Sequence, residues 1–281
     1  MGYQSPLAFT DDAGDAWRGL ARPDLRDLLS PELGRVLRSD EWIDALPADF
    51  APVGQLSANA VRVQAGDFDL VLKRVPADYI RWWASPVAAF QGSRARRAFE
   101  WSHRLRAFGI TTPRPLAYLE RRRWPRFAPS LFVAEYVEAP TLERLRDAGL
   151  AATDKRQLID RVAGLLATMH ARRLLHADFH VGNLLVAPEA LYVLDLESMR
   201  PYGRRSGVVL KNLVRLNRDF LDLGLVTSAD RMRFLDRYLK HQADRSRRRR
   251  SLFDVVRVKT EAKLLERGEQ FVPRVKVGSG I

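Results

Sequence analysis

LLHADFHVGNLLVAPEALYVLDLESM, residues 174–199, carries two polar clusters separated by apolar runs. His176, Asp178 and Asn183 spell H-x-D-x-x-x-x-N, and Asp195 follows Asn183 by twelve residues, closing the run Leu191-Tyr-Val-Leu194. Leu184-Leu-Val186 and Leu191–Leu194 read as short strands joined by a turn at Pro188-Glu189, which would set Asn183 and Asp195 at neighbouring strand ends. Ligands on such elements are held more firmly than ligands on free loops.

This is the pattern of a kinase catalytic loop followed by a metal-binding Asp. Phosphoryl transfer needs an in-line nucleophile and a neutralised triphosphate, with little covalent work left to the protein. Asp178 would accept or orient the proton of the attacking hydroxyl. Asn183 and Asp195 offer oxygens, which suit a hard Mg²⁺ ion. A zinc reading of His176, Asp178 and His180, which share one strand face by their period of two, lacks both Cys and a fourth ligand. Asp195-Leu-Glu197 after a strand, seen alone, is an ordinary solvated turn. The specificity lies in the two halves occurring together, in this order and at this distance.

The rest of the chain bounds that reading. With 281 residues it can form one large domain or two lobes, and 46% hydrophobic residues place it among globular proteins. The absence of Cys excludes disulfide scaffolds, thiolate metal sites and cysteine nucleophiles. No apolar run reaches the ~18 residues of a spanning helix, and the first seventeen residues lack the pattern of a secretory signal. Pro6 stands where a myristoylation signal has Ser or Thr. The expectation is a soluble protein inside the cell. Net charge is +13, yet residues 1–50 hold ten acids against five Arg. The basic remainder points to an anionic partner, and an Arg-favouring genome explains the choice of Arg but not the sign.

In chain order, residues 1–50 read as an extension with short helices at Pro23–Leu29 and Pro31–Leu37, each opened by Pro. Val61-Arg-Val63 and Phe68–Leu72 read as strands with a turn at Ala65-Gly-Asp67. Gly54-Gln-Leu-Ser-Ala-Asn-Ala-Val61, laid on the kinase loop G-x-G-x-x-G-x-V, keeps the first Gly and the Val; Asn59 tolerates the positive φ of a lost Gly. Gly54, Ser57 and Asn59 thus stand where a phosphate-covering loop would, and Lys73 ends the next strand, where a kinase keeps its phosphate lysine. Glu100 is the one Glu between Lys73 and Leu119. It lies in a helix over Ser93–Phe108 whose buried face is read as Ala95, Ala98, Phe99, Leu105 and Phe108, with Gly109 as its stop. Arg81-Trp-Trp83 offers aromatics for lipid, ligand or core. Leu116–Leu119 and Leu131–Val137 read as strands, the second leading into a hinge where backbone groups of Glu135 and Val137 would meet adenine. A helix over 154–170 buries Leu158, Ile159, Val162, Leu165, Leu166 and Met169, with Asp154 as N-cap. His176 reads as a packed, hydrogen-bonded histidine.

Lys73, Glu100, Gly109-Ile-Thr-Thr-Pro-Arg-Pro-Leu-Ala117, Glu135-Tyr-Val137, His176-Ala-Asp178, Asn183, Asp195 and Asn212–Arg218 together resemble the Kdo/WaaP lipopolysaccharide kinase family, from about Gly54 to about Phe220. The resemblance implies an α+β, bilobal protein-kinase-like fold. It would have an N-terminal extension (1–50), a small β-rich N-lobe with one main helix (51–139) and a larger, mostly helical C-lobe (140–281). It implies transfer of the ATP γ-phosphate, with Mg²⁺, to a sugar hydroxyl of the lipopolysaccharide inner core, Kdo or heptose, at the cytoplasmic membrane face. Lys73 and Glu100 would be the phosphate-holding pair, Asp178 the base, and Asn183 and Asp195 the metal ligands. Leu-Glu follows Asp195 instead of Phe-Gly, and no Ala-Pro-Glu follows, so a peptide platform is not expected. The same motifs resemble aminoglycoside and choline kinases, which gives a small-molecule kinase as the alternative; a pseudokinase scaffold is the non-enzyme alternative. Arg245, Arg247, Arg248, Arg249 and Arg250 could grip anionic lipid, at about 1 kcal/mol per basic residue. No nucleic-acid module accompanies them.

Overall fold

The computed structural model describes residues 5–11, 13–79, 92–123, 126–146, 152–203, 207–222, 226–241 and 249–265. The chain divides into two compact units. The first is Met1–Ala139 with Leu185–Met199, and the second is Pro140–Leu184 with Arg200–Ile281. Among the described residues the secondary structure is mixed, a large antiparallel sheet with six helices.

The first unit is built on that sheet. Its strands are β1 (Ser5–Thr10), β2 (Ala16–Ala21), β3 (Ala51–Ser57), β4 (Ala60–Ala65), β5 (Phe68–Val75), β7 (Pro115–Glu120) and β10 (Ser130–Glu135), in the order β1-β2-β7-β10-β5-β4-β3. Three two-residue strands, β6 (Asp78–Tyr79), β8 (Arg122–Arg123) and β9 (Arg126–Phe127), make a minor sheet. The β4–β5 turn falls on Gly66, whose φ of 56° suits glycine. Helix α1 (Pro31–Val36) and a 3₁₀ turn at Pro23–Leu25 match the Pro-led segments. The hairpin β1–β2 that precedes them was not legible as strand. It joins the sheet because β2 pairs with β7, where Gly19 faces Leu119. A Cβ at Gly19 would stand 2.0 Å from the Tyr118 carbonyl oxygen.

β7 is buried from Pro115 to Leu119, which means that both faces are covered. Ala117 and Leu119 join a core with Trp17, Leu25, Leu33, Leu37 and Trp42 of the first fifty residues. Tyr118 points the other way, its ring 5.1 Å from Phe99 of helix α2 (Arg94–Ala107). Ser93 caps α2 by accepting from the Arg96 N–H, and Gly109, at φ 74°, follows its end. Ala95, Ala98, Phe99 and Leu105 are buried as expected, but Phe108 is exposed because the helix has ended; Trp101 and Ser102 complete the buried face. The buried charge at the hairpin is answered in place. Asp11 accepts from Trp17 Nε1 at 3.0 Å and lies 2.9 Å from Arg38.

The second unit is helical. Helix α3 (Ala152–Ala171) buries Leu158, Ile159, Val162, Leu166 and Met169, with Leu165 half-buried. It begins two residues before Asp154, which is therefore a first-turn acid near the positive helix end rather than the N-cap. Strand β11 (Leu174–His176) and helices α4 (Val208–Asp222), α5 (Ser228–Lys240) and α6 (Arg249–Leu265) complete this unit. α5 packs on α3, and Arg233 and Arg237 both reach Asp160. Arg81-Trp-Trp83, Arg245, Arg247 and Arg248 lie outside the described residues, as do the side chains of Arg249 and Arg250.

Candidate functional site

In the first unit, β5 delivers Lys73 and a returning hairpin delivers Asp195. The hairpin consists of β12 (Leu184–Val186) and β13 (Leu191–Val193), closed by the Ala187 N–H to the Ala190 carbonyl. It is fastened from Thr111-Thr112: the Val193 N–H donates to the Thr111 carbonyl and Thr112 Oγ1 to the Val193 carbonyl. Beyond β13 the backbone reverses at Asp195, which has φ 60° and ψ 49°. That conformation is uncommon outside glycine and concentrates at functional positions. A 3₁₀ turn, Leu196–Ser198, follows, and buries both Leu196 and Glu197.

The result is a charge cluster. Lys73 Nζ pairs with Asp195 Oδ1 and lies 3.0 Å from Glu197 Oε2. Arg94, the first residue of α2, pairs with Glu197 Oε1. Burial alone would lower the lysine pKa, but Glu197 and then Asp195 outweigh it and hold the ammonium above its ordinary value. Glu100 is not brought to Lys73. It lies one helical turn beyond Arg96 and bonds that residue, Arg96 Nε to Oε1 at 2.8 Å. Glu197, visible in the sequence as the second acid of D-x-E, takes the place at Lys73; no local signal marked Arg94.

The strands expected to cover phosphates form the β3–β4 hairpin at the edge of the sheet, with β4 paired to β5. Gly54 and Ser57 lie in β3, every residue of which is exposed, and Asn59 lies in the turn. Asn59 does not adopt positive φ; Ser57 Oγ accepts its N–H at 3.3 Å, and its carbonyl accepts from Arg74. The turn is made by side-chain bonding instead of a left-handed residue. A Cβ on Gly54 would meet nothing within 4 Å. In the expected hinge, the Glu135 N–H donates to the Arg114 carbonyl and Glu135 Oε1 accepts the Arg114 N–H. The Val137 carbonyl accepts from Ala139, and between them the Tyr136 ring carries Arg62 at 3.9 Å.

In the second unit, the loop after β11 is tied mostly to itself. The Asp178 N–H donates to His176 Nδ1 at 3.2 Å, and the Gly182 N–H to His180 Nδ1 at 3.1 Å. Asn183 Nδ2 donates to the Asp178 carbonyl at 3.0 Å, which leaves its Oδ1 as the amide atom to offer a ligand. His176 is fully buried beside Phe179, as a packed histidine should be. Helix α4 holds the loop from below. Asn212 Nδ2 donates to the His176 carbonyl at 2.9 Å, and Arg215 Nη2 lies 2.5 Å from Asp178 Oδ1. His180 Nε2 lies 3.7 Å from Asp178 Oδ2. Asn212 and Arg215 belong to a segment whose likeness is visible in sequence, though not the role of either residue.

Behind Asn212 stands His170, buried on α3. Its Nε2 meets Asn212 Oδ1 at 3.2 Å and its Nδ1 meets Tyr238 Oη at 2.9 Å. With Asn212 Oδ1 as acceptor, Nε2 carries the proton and Nδ1 accepts from the tyrosine. Burial pushes the imidazole down to about 4, against the smaller upward pull of Asn212, so the ring is neutral.

Three features bear on a metal. All the candidate ligand atoms are oxygens, the Asp195 carboxylate already holds one cation, and no three His, Cys, Asp or Glu gather among the described residues. Mg²⁺ is commonly held by one or two protein oxygens together with substrate phosphates, and oxygen donors such as these are the type of ligand it takes.

The family model described as the lipopolysaccharide kinase (Kdo/WaaP) family matches residues 83–238. Glu100, Glu135, Val137, Asp178, Asn183 and Asp195 fall within the match; Gly54, Ser57, Asn59 and Lys73 precede it. No curated protein matches the chain. No helix among the described residues is long and apolar enough to cross a membrane.

Proposed function

The chain belongs to the lipopolysaccharide kinase (Kdo/WaaP) family and is a kinase, and we propose that it transfers the γ-phosphate of ATP to a sugar hydroxyl, Kdo or heptose, of the lipopolysaccharide inner core. Use of ATP follows from the kinase family; the acceptor and the Mg²⁺ requirement are part of the proposal. The observation that carries it is the pairing of Lys73 with Asp195, 122 residues apart, at a left-handed Asp that ends a short hairpin. A phosphate-holding cation and a metal-holding carboxylate are the two groups that a triphosphate needs.

The roles follow from the chemistry of each side chain. Lys73 neutralises phosphate oxygens, and Gly54 and Ser57 on the exposed strand β3, with Asn59 in the turn that follows, cover them. Glu135 and Val137 supply backbone contacts to adenine. Asp195 and Asn183 would hold Mg²⁺, which when bound supplies charge neutralisation of the phosphates. Asp178 orients the acceptor hydroxyl and takes its proton, while Arg215 and Asn212 fix the loop that carries it. The two units correspond in this reading to the lobes of a kinase-like fold. Contact of Arg245–Arg250 with anionic lipid at the inner membrane face belongs to the same proposal, and no nucleic acid is expected as a partner.

The test is Mg²⁺-dependent transfer of γ-phosphate from ATP to purified core precursors, aminoglycosides, choline and a generic protein, with Asp178→Ala beside the wild type. Phosphate on a core sugar, lost in the variant, supports the reading. Transfer only to a small free molecule replaces it with the small-molecule kinase. ATP binding without transfer by either form favours a scaffold.

A further inference from the structure

The kinase pattern assigns the lysine partner to a helix glutamate, here Glu100, but the geometry puts another carboxylate there. Glu197 is buried, its side chain only 7% exposed, and a carboxylate so placed must be answered by cations. Lys73 and Arg94 answer it, one from β5 and one from the first turn of α2. Its Oε2 lies 3.0 Å from Lys73 Nζ and makes no other polar contact among the described residues. Glu100, by contrast, is 42% exposed and bonded to Arg96 within its own helix. The left-handed turn at Asp195 explains the substitution, since it folds the next three residues back so that the second acid of D-x-E points at the strand lysine.

We propose that Glu197, anchored to α2 by Arg94, is the positioning residue that holds Lys73 for nucleotide phosphates, and that Glu100 is a helix-surface residue. The arithmetic of charge supports a second carboxylate here. Asp195 is one of the two oxygen ligands proposed for a metal, and an ammonium whose partner is claimed by a cation keeps its place only if another anion stays beside it. Among the described residues Glu197 is the remaining anion paired with Lys73, and Arg94 prevents it from following the lysine outward. The identity of the anchor does not depend on the phosphotransfer reading; the purpose given to Lys73 rests on it.

The test is a pair of double-mutant cycles on unfolding of the nucleotide-free chain, Lys73→Met with Glu197→Gln and Lys73→Met with Glu100→Gln. The first is expected to show coupling of about fivefold or more in the folding equilibrium constant and the second to be additive. Should Glu197→Gln fail to fold, Glu197→Asp, which keeps the charge and shortens the reach, replaces it in the cycle. A readout that mere helix attachment would not move is the split between KM and kcat for ATP. Glu197→Gln is expected to raise KM about tenfold, with part of that restored in Glu197→Asp. Coupling of Lys73 to Glu100 as large as to Glu197, or additivity in the Glu197 cycle, overturns the assignment. If the Glu197 cycle is coupled but no acceptor is phosphorylated, the anchor stands and the phosphotransfer reading falls. If phosphate is transferred and the Glu197 cycle is additive, the reverse holds.

Discussion

The Lys73 cluster of the first unit and the Asp178 loop of the second solve the problem of fixing polar groups in opposite ways. At Lys73 four formal charges hold one another, and their owners come from positions 73, 94, 195 and 197. At Asp178 the loop is fixed mainly by neutral hydrogen bonds within eight residues, backed by the uncharged chain Tyr238–His170–Asn212–His176. The charge cluster can exchange a partner for a ligand of the same sign, which suits phosphate and metal. The neutral chain has nothing to exchange, which suits a carboxylate that must stay aimed. Among the described residues Arg215 is the single formal charge set directly against Asp178 at hydrogen-bonding distance.

The largest test of that contrast is in turnover. Asp178→Ala is expected to lower kcat by about 10³-fold, within the usual range for a positioned acid–base group, while the melting temperature stays near that of the wild type, because the side chain is 42% exposed. A large fall in stability would mean that Asp178 holds the loop instead of being held by it.

The next effect is a pH dependence. His170 stays neutral when folded, with its pKa near 4, and titrates near its ordinary 6.5 when unfolded. Between those values the unfolded chain binds the extra proton, so stability is lost as pH falls from about 6.5 to about 4, by about 3 kcal/mol from this residue. Denaturant unfolding of wild type and His170→Gln across that window should show the steeper slope in the wild type. Equal slopes would remove the neutral-chain account of the second unit.

Gly19→Ala asks whether the first unit also depends on steric fit. The added methyl would collide with the Tyr118 carbonyl at the β2–β7 seam, and a loss of about 2 kcal/mol is expected by chemical unfolding. Smallest is Asn212→Ala, expected to cost about 1–2 kcal/mol, read by faster hydrogen exchange at residues 176–183. Exchange that speeds up equally in β5 would show that the two regions are not held independently.

Legibility follows the same division. The H-x-D-x-x-x-x-N loop and the β12–β13 hairpin are local, so their residues sit close in sequence and their pattern could be read directly. The helix of Glu100 and the strand of Lys73 were legible through their periods of apolar residues and through Gly66 and Gly109. The hairpin at residues 5–21 was not, because β2 becomes a strand by pairing with β7, almost a hundred residues away, and Gly19 looks like a breaker until Tyr118 is seen above it.

The sequence by itself determined the inventory: a strand lysine, a loop carboxylate, an amide, and an Asp with a second acid two residues on. Those depend on local periodicity and on residue chemistry, which travel with the chain. Only the tertiary structure decided who pairs with whom. Whether Lys73 meets Glu100 or Glu197 turns on a left-handed backbone at Asp195 and on which end of α2 approaches β5, and neither is encoded in any short window. A salt bridge is a matter of a few ångströms between groups distant in the chain, and only the packed fold sets that distance.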